Sequence, residues 1–172
     1  MADGRLRRVL IFAALPVLWF VLVAADNGPA MYSDRANRFE FPEADARFVR
    51  LLLGPGSGNT QACIDELEVY GPEGKDNLAL AASGAKASAS SCIRGYAQHA
   101  IEHLNDGEYG NARSWIPAGV TGEWAQIELP QAAPVSSIVI SRDRMRQYGD
   151  RIPNVFDIQI STDGENWQTV RR

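Results

Sequence analysis

From residue 48 onward, apolar residues recur at every second position in short runs, and each run is stopped by glycine, proline, asparagine or aspartate. A period of two puts alternate side chains on opposite faces, the pattern of a half-buried strand, and it excludes a helical bundle. Phe48 to Leu53 ends at Gly54-Pro55-Gly56, and Ile64 to Tyr70 alternates next. Trp124 to Leu129 sets Ala125, Ile127 and Leu129 against Gln126 and Glu128. Ser137 to Ser141, Phe156 to Ile160 and Trp167 to Val170 complete the set. Only Ala97 to Leu104 has helix-like spacing, and Asn105-Asp106-Gly107 stops it after about two turns. The expected fold is all-β, an antiparallel β-sandwich or jelly-roll.

The amino-terminal residues follow other rules. Arg5, Arg7 and Arg8 precede an apolar run from Val9 to Ala25, and Val23-Ala24-Ala25 offers small residues at a cleavage site. Residues 1–25 therefore read as a signal peptide or a short membrane anchor, with the folded part exported: periplasmic, extracellular, or anchored and facing outside. Residues 26–44 lack a sustained period and read as a linker, which leaves 45–172 as one domain. Cys63 and Cys92 then fall in an oxidising space where a disulfide persists; a free buried cysteine is the alternative. Setting aside Asp3, Arg5, Arg7 and Arg8 takes the net charge from −4 to −6. An acidic domain without a basic stripe is not a nucleic-acid binder. Of 17 basic residues only Lys75 and Lys86 are lysines, so arginine, suited to planar bidentate contacts, supplies nearly all the positive charge.

Several segments in order, Asn77-Leu78-Ala79, Ala87 to Ser91, Asn105-Asp106-Gly107, Ser114-Trp115, Trp124 to Leu129, Ile138-Val139-Ile140 and Phe156 to Trp167, resemble the discoidin family. This is the coagulation factor 5/8 type C domain, which overlaps carbohydrate-binding module family 32. The resemblance implies a galactose-binding-domain-like β-sandwich. Members normally finish with strands of the form Ala-Arg-Tyr-Val-Arg-Leu and Glu-Ile-Glu-Val-Tyr-Gly; here their equivalents lie upstream, at Ala46 to Leu51 and Glu66 to Gly71. The chain therefore reads as a circularly permuted member, similar to copies in exported proteins of planctomycete-like bacteria. A truncated array of two domains is the rival, and it would leave an unpaired sheet edge.

The same resemblance implies site residues. The loop opened by Asp106 holds a structural calcium in the family. By motif position the carboxylates here are Asp106 and Glu66, with carbonyls from His103, Glu108, Ser114 and Asp65; oxygen donors of this kind suit Ca²⁺. A threonine or serine commonly stands two residues before the tryptophan, and this chain has Arg113 there. Without a metal, Asp106 would only cap its turn. Sugar-binding relatives use two arginines and a histidine, which fall on Arg142, Arg151 and His99, with Tyr96 or Tyr148 as a platform for a pyranose ring. The loop carrying the arginines could equally be a solvated surface loop. Trp115, Trp124 and Trp167 read as core.

His99-Ala100-Ile101-Glu102-His103 spells an inverted zinc-protease motif, but the helix is too short and no second helix supplies a third ligand. Ile116 and Val120 are the only apolar tips a lipid-binding loop could use, so a membrane is met only through the amino-terminal segment. No nucleophile–base pair or phosphate loop stands out, and the chain does not read as an enzyme. The expected function is an exported binding module for a carbohydrate or cell-surface glycan with a structural Ca²⁺. The alternative is a protein-interaction or spacer domain without sugar binding.

Overall fold

The computed structural model describes residues 31–172. Six strands form one hydrogen-bonded network: β1 (Asn37–Leu53), β2 (Glu66–Tyr70), β3 (Lys86–Ala89), β4 (Glu123–Ser141), β5 (Phe156–Ser161) and β6 (Gln168–Arg171). β1 and β4 are long antiparallel partners, and register shifts between Glu40 and Ala44 and between Ala46 and Phe48 bend the pair in its middle. On one side of the bend, β2 adds to β4 through Glu66↔Ser141 and Val69↔Ile138. On the other, β3 pairs β4, β5 pairs β1, and β6 closes the edge. The bent ribbon thus contributes to both layers of an antiparallel β-sandwich, as the alternation predicts.

Between the layers lies one apolar core. Val49, Leu51, Ile127, Leu129, Ile158 and Ile160 from one layer meet Leu67, Val69, Ile138 and Ile140 from the other. Phe39 of β1 packs edge-on against Phe156 of β5, with ring centroids 5.2 Å apart. Truncating a fully buried side chain such as Leu51 costs about 2–5 kcal/mol, by lost transfer energy and the cavity left behind.

Four expectations need correction. Strand β1 begins at Asn37, inside the expected linker 26–44 and ahead of the expected strand start at Phe48, and Asn37, Phe39 and Phe41 already alternate inward. The two expected strands at 124–129 and 137–141 are parts of one, β4, whose Pro130 and Pro134 lie at the bend. The segment 97–104 is not a single helix: two 3-10 turns, Ala97–His99 and Ile101–Asn105, are separated by Ala100 in an extended conformation. Finally, only Trp115 of the three tryptophans is core. Trp124 and Trp167 are half-buried on the outer sheet face, where Arg50 lies 3.7 Å from the Trp167 ring centroid and 5.9 Å from that of Trp124. Residues 1–25, expected as a signal peptide or membrane anchor, lie outside the described residues.

Candidate functional site

Between β4 and β5 the chain runs through the arginine-rich loop, and a buried aspartate shapes it. The Asp143 carboxylate accepts the backbone N–H groups of Met145 (3.0 Å), Gln147 (2.8 Å) and Tyr148 (2.7 Å), turning the chain back on itself. Arg146 and Arg151 adopt left-handed conformations, φ 61° and 53°, which cost energy in any residue with a Cβ. Gly110 in the facing loop has φ 104°, and a Cβ there would fall 2.8 Å from Met145 Cγ. Glycine at 110 therefore lets the two loops close together.

Arg142, the first residue after β4, is 1% exposed. Its guanidinium donates from Nε to the Asp150 carbonyl (2.8 Å), from Nη1 to Asn111 Oδ1 (3.1 Å) and from Nη2 to Asp150 Oδ1 (2.7 Å). It therefore clamps the two ends of its own loop and ties them to the loop at 111. It also lies 5.8 Å from the ring centroid of Tyr148. Arg151 is more open; its Nη1 donates to Gln61 Oε1 at 2.8 Å. Tyr96 and His99 form a facing wall, their ring centroids 6.0 Å apart. All five expected ligand residues, Tyr96, His99, Arg142, Tyr148 and Arg151, line one cleft of about 230 Å³, together with Asn111, Asp150, Ile93 and Ile116. An adjoining, more apolar cleft of about 500 Å³ shares Ile93, Tyr96 and His99 and extends past Ala97 and Ile101.

His99 is mostly buried, and its Nδ1 lies 2.8 Å from Ser114 Oγ. Burial, followed by the positive charges of Arg142 and Arg151, holds its pKa below the ordinary histidine value. Ser114 Oγ donates in turn to the Asn111 carbonyl at 2.9 Å and accepts from the Cys63 thiol at 3.4 Å. This Ser–His pair is not a nucleophile dyad, since Ser114 is fully buried and its proton points to a carbonyl. His103 faces elsewhere, with Nδ1 against the Gln98 carbonyl at 3.1 Å, so the two histidines do not share a helical face.

The acidic residues gather on the other side of the 101–110 segment. Glu66 is fully buried in β2, and its carboxylate meets the Gly107 N–H at 3.2 Å. Burial, then the neighbouring Asp106 charge, pushes the Glu66 pKa up to about 9. Asp106 accepts the Glu108 N–H (2.8 Å) and pairs with Arg113 Nη2 (2.5 Å), whose Nε lies 3.3 Å from Glu108. Asp65 is buried as well; Oδ2 accepts the N–H groups of Gly110 and Arg144 (both 3.0 Å), while Oδ1 has no partner. The Ser114 hydroxyl serves the cleft at His99, whereas the calcium expectation concerns its main-chain carbonyl. The disulfide is also corrected, because Cys63 and Cys92 are both free. Cys63 is turned to Ser114, and burial pushes its thiol up to about 11.

Asn111 and Asp150 were not legible as cleft residues beforehand. Each becomes one through Arg142, whose reach across 31 and 8 positions leaves no periodic signal. Ile116, a candidate lipid-facing tip, is instead buried in the cleft wall.

Residues 86–172, half of the chain, match the F5/8 type C domain. No match is found among characterised proteins or among solved structures. The matched region supplies β3 to β6 and both loops of the cleft, while β1 and β2 complete the sandwich from upstream. The chain belongs to the F5/8 type C (discoidin) family, whose domains are generally non-catalytic binding modules.

Proposed function

We propose that the protein is an exported binding module that holds a carbohydrate in the cleft between the 93–99 wall and the 142–151 loop. One observation carries this reading: Tyr96, His99, Arg142, Tyr148 and Arg151, drawn from distant parts of the chain, line the same cavity. Guanidinium donors, an imidazole and two half-exposed tyrosine rings suit a pyranose, which has a polar rim and an apolar face. The neighbouring apolar cleft leaves room for more than one ring. Tyr148 and Arg151 provide the cleanest test because Tyr148 is 49% exposed and Arg151 is not part of the core. Tyr148→Ala is expected to weaken glycan binding about tenfold, the equivalent of one aromatic stack, with little change in melting temperature. A glycan array on which neither wild type nor variant binds would favour a protein-interaction or spacer role.

The acidic cluster is a candidate calcium site. Glu66 and Asp106 would hold the ion through their carboxylates, with main-chain carbonyls of Asp65, His103, Glu108 and Ser114 at the family's other donor positions. Two carboxylates suit a hard cation, since buried Glu66 lies near the Asp106 charge and accepts only the Gly107 N–H; among the described residues no group of three or more Asp, Glu, His or Cys side chains converges, so the main chain would supply the other donors. Arg113 already covers one side of Asp106. When bound, the ion would neutralise the paired carboxylates and fasten the 101–110 segment to β2.

We read the domain as circularly permuted. Arg171 Nη1 donates to the Glu40 carbonyl at 2.9 Å, so the end of β6 lies beside the start of β1. At the other junction Asn77 Oδ1 accepts the Val69 N–H and Leu78 N donates to the Val69 carbonyl, leaving only a short connection between β2 and residue 77. A rearranged chain, 77–172 followed by a short linker and then 37–71, is expected to fold with a native-like amide spectrum. An unfolded product would count against permutation.

A further inference from the structure

We infer that the buried Ser114 hydroxyl is a positioning residue that fixes His99 as the Nδ1–H tautomer, so that the cleft presents a bare Nε2 acceptor among guanidinium donors and selects hydroxyl groups over anions. The inference rests on the carbohydrate reading of the cleft and adds the chemistry of what is held there.

Proton counting on Ser114 carries it. A serine hydroxyl has one proton and two lone pairs. Three groups surround this one: the Asn111 carbonyl at 2.9 Å, His99 Nδ1 at 2.8 Å and Cys63 Sγ at 3.4 Å. The carbonyl can only accept, so the serine proton goes there. Both lone pairs then remain for donors, the Cys63 S–H and the His99 Nδ1–H. With the proton on Nδ1, the lone pair of the neutral ring lies on Nε2. Among the described residues no hydrogen bond reaches that atom, and the residue keeps 8% of its surface exposed. The ring lines the cleft, so Nε2 opens towards its contents.

Two arginines alone would favour a carboxylate, sulfate or phosphate. The other charges of the cleft change that preference. Asp150 lies 2.7 Å from Arg142 Nη2 and offsets one guanidinium, and a bare imidazole lone pair repels an oxyanion that has no proton to give. His103 adds no acceptor, since its Nδ1 is turned to the Gln98 carbonyl. A hydroxyl satisfies both kinds of partner: it donates to His99 Nε2 and accepts from a guanidinium N–H. The ligand class is therefore a neutral polyhydroxylated ring, with the Cys63–Ser114 pair beneath the cleft setting the polarity of its acceptor.

The test reads the tautomer directly. The full chain has two histidines, so His103→Gln assigns the His99 ring in long-range ¹⁵N–¹H spectra. The expected wild-type pattern at neutral pH is a protonated Nδ1 and a pyridine-type Nε2. Ser114→Ala is expected to lose that single pattern and Ser114→Thr to restore it. In parallel, methyl glucopyranoside, methyl galactopyranoside and methyl mannopyranoside are titrated against sodium glucuronate and inorganic sulfate. At least one neutral pyranoside should bind more tightly than either anion and lose about tenfold in Ser114→Ala, while sulfate binding stays within about twofold. A wild-type Nε2–H tautomer, or a preference for the anions, overturns the inference. A bare Nε2 with no binding of any probe leaves Ser114 as the positioning residue and overturns the carbohydrate reading instead.

Discussion

Arg142→Ala is expected to abolish glycan binding and also to lower the melting temperature by about 6–9 °C. The physical reason is that Arg142 is at once a wall of the cleft and the clamp that shapes it. Its three hydrogen bonds close the 142–150 loop and hold Asn111, and the side chain is 1% exposed. Truncation leaves the Asn111 oxygen without its charged partner and a cavity where the guanidinium was. Asp150 is 62% exposed and can turn to water, which limits the penalty. Hydrogen bonds to a charged group contribute about 1.5–3 kcal/mol, and a net cost near 2–3 kcal/mol follows. For a domain of this size each kcal/mol moves the midpoint by about 3 °C. Arg142→Lys keeps the charge but not the fork, and should fall between. An unchanged melting temperature in Arg142→Ala would mean that the clamp contributes nothing. Stability is thus a poor control for binding at this position, whereas Tyr148 and Arg151 allow the two to be separated.

Calcium should produce the second large effect, with a pH dependence that identifies its ligand. Glu66 in the folded protein is pushed up to about 9 from an ordinary 4.5, by burial and then by Asp106. An acid raised on folding favours the native state at low pH. Without metal, that contribution is complete below the unfolded value and is lost as pH climbs through the window from about 4.5 to 9. Bound Ca²⁺ needs the carboxylate, so it removes this loss where it is greatest. Free Ca²⁺ at a hundredfold its Kd adds about 2.7 kcal/mol, or roughly 8 °C, at pH 8. Near pH 5 the shift should be much smaller. Glu66→Gln should flatten the pH slope and remove the calcium response, and scanning calorimetry at the two pH values with and without CaCl₂ measures both. No calcium shift at pH 8 together with a flat pH profile would remove Glu66 from any metal site.

Much of the fold was legible because a sandwich strand shows its buried face every second residue. The same rule also explains where the reading went wrong. Trp124 has the parity of Gln126 and Glu128, opposite to the inward Ala125, Ile127 and Leu129, so the alternation already placed it outside, although its place in a strand-like segment suggested core. The start of β1 carries the signal in Phe39 and Phe41, obscured by Pro42 and the charges around it. The runs 124–129 and 137–141 belong to one strand because Pro130 and Pro134 between them are tolerated at a bend where the register shifts. Residues of the candidate cleft were legible as far as the family pattern reached, to Arg142, Arg151 and His99 with Tyr96 and Tyr148 beside them. What holds them in place was not: the Asp150 clamp, the Asn111 contact and the Cys63–Ser114 support are made by side chains across loop closures, which a linear pattern does not encode.

The outer sheet face, with Arg50 between Trp124 and Trp167, is the competing surface for a ligand that stacks on aromatic rings. The most direct test of the proposed function therefore follows backbone amide shifts of the full chain during titration with a neutral oligosaccharide chosen from the array. The cleft is expected to respond, with the largest saturable shifts at Tyr96, His99, Tyr148 and Arg151 and none at Trp124 or Trp167. Shifts confined to Trp124, Trp167 and Arg50, or none with any array glycan, would contradict the assignment of the cleft as a carbohydrate site.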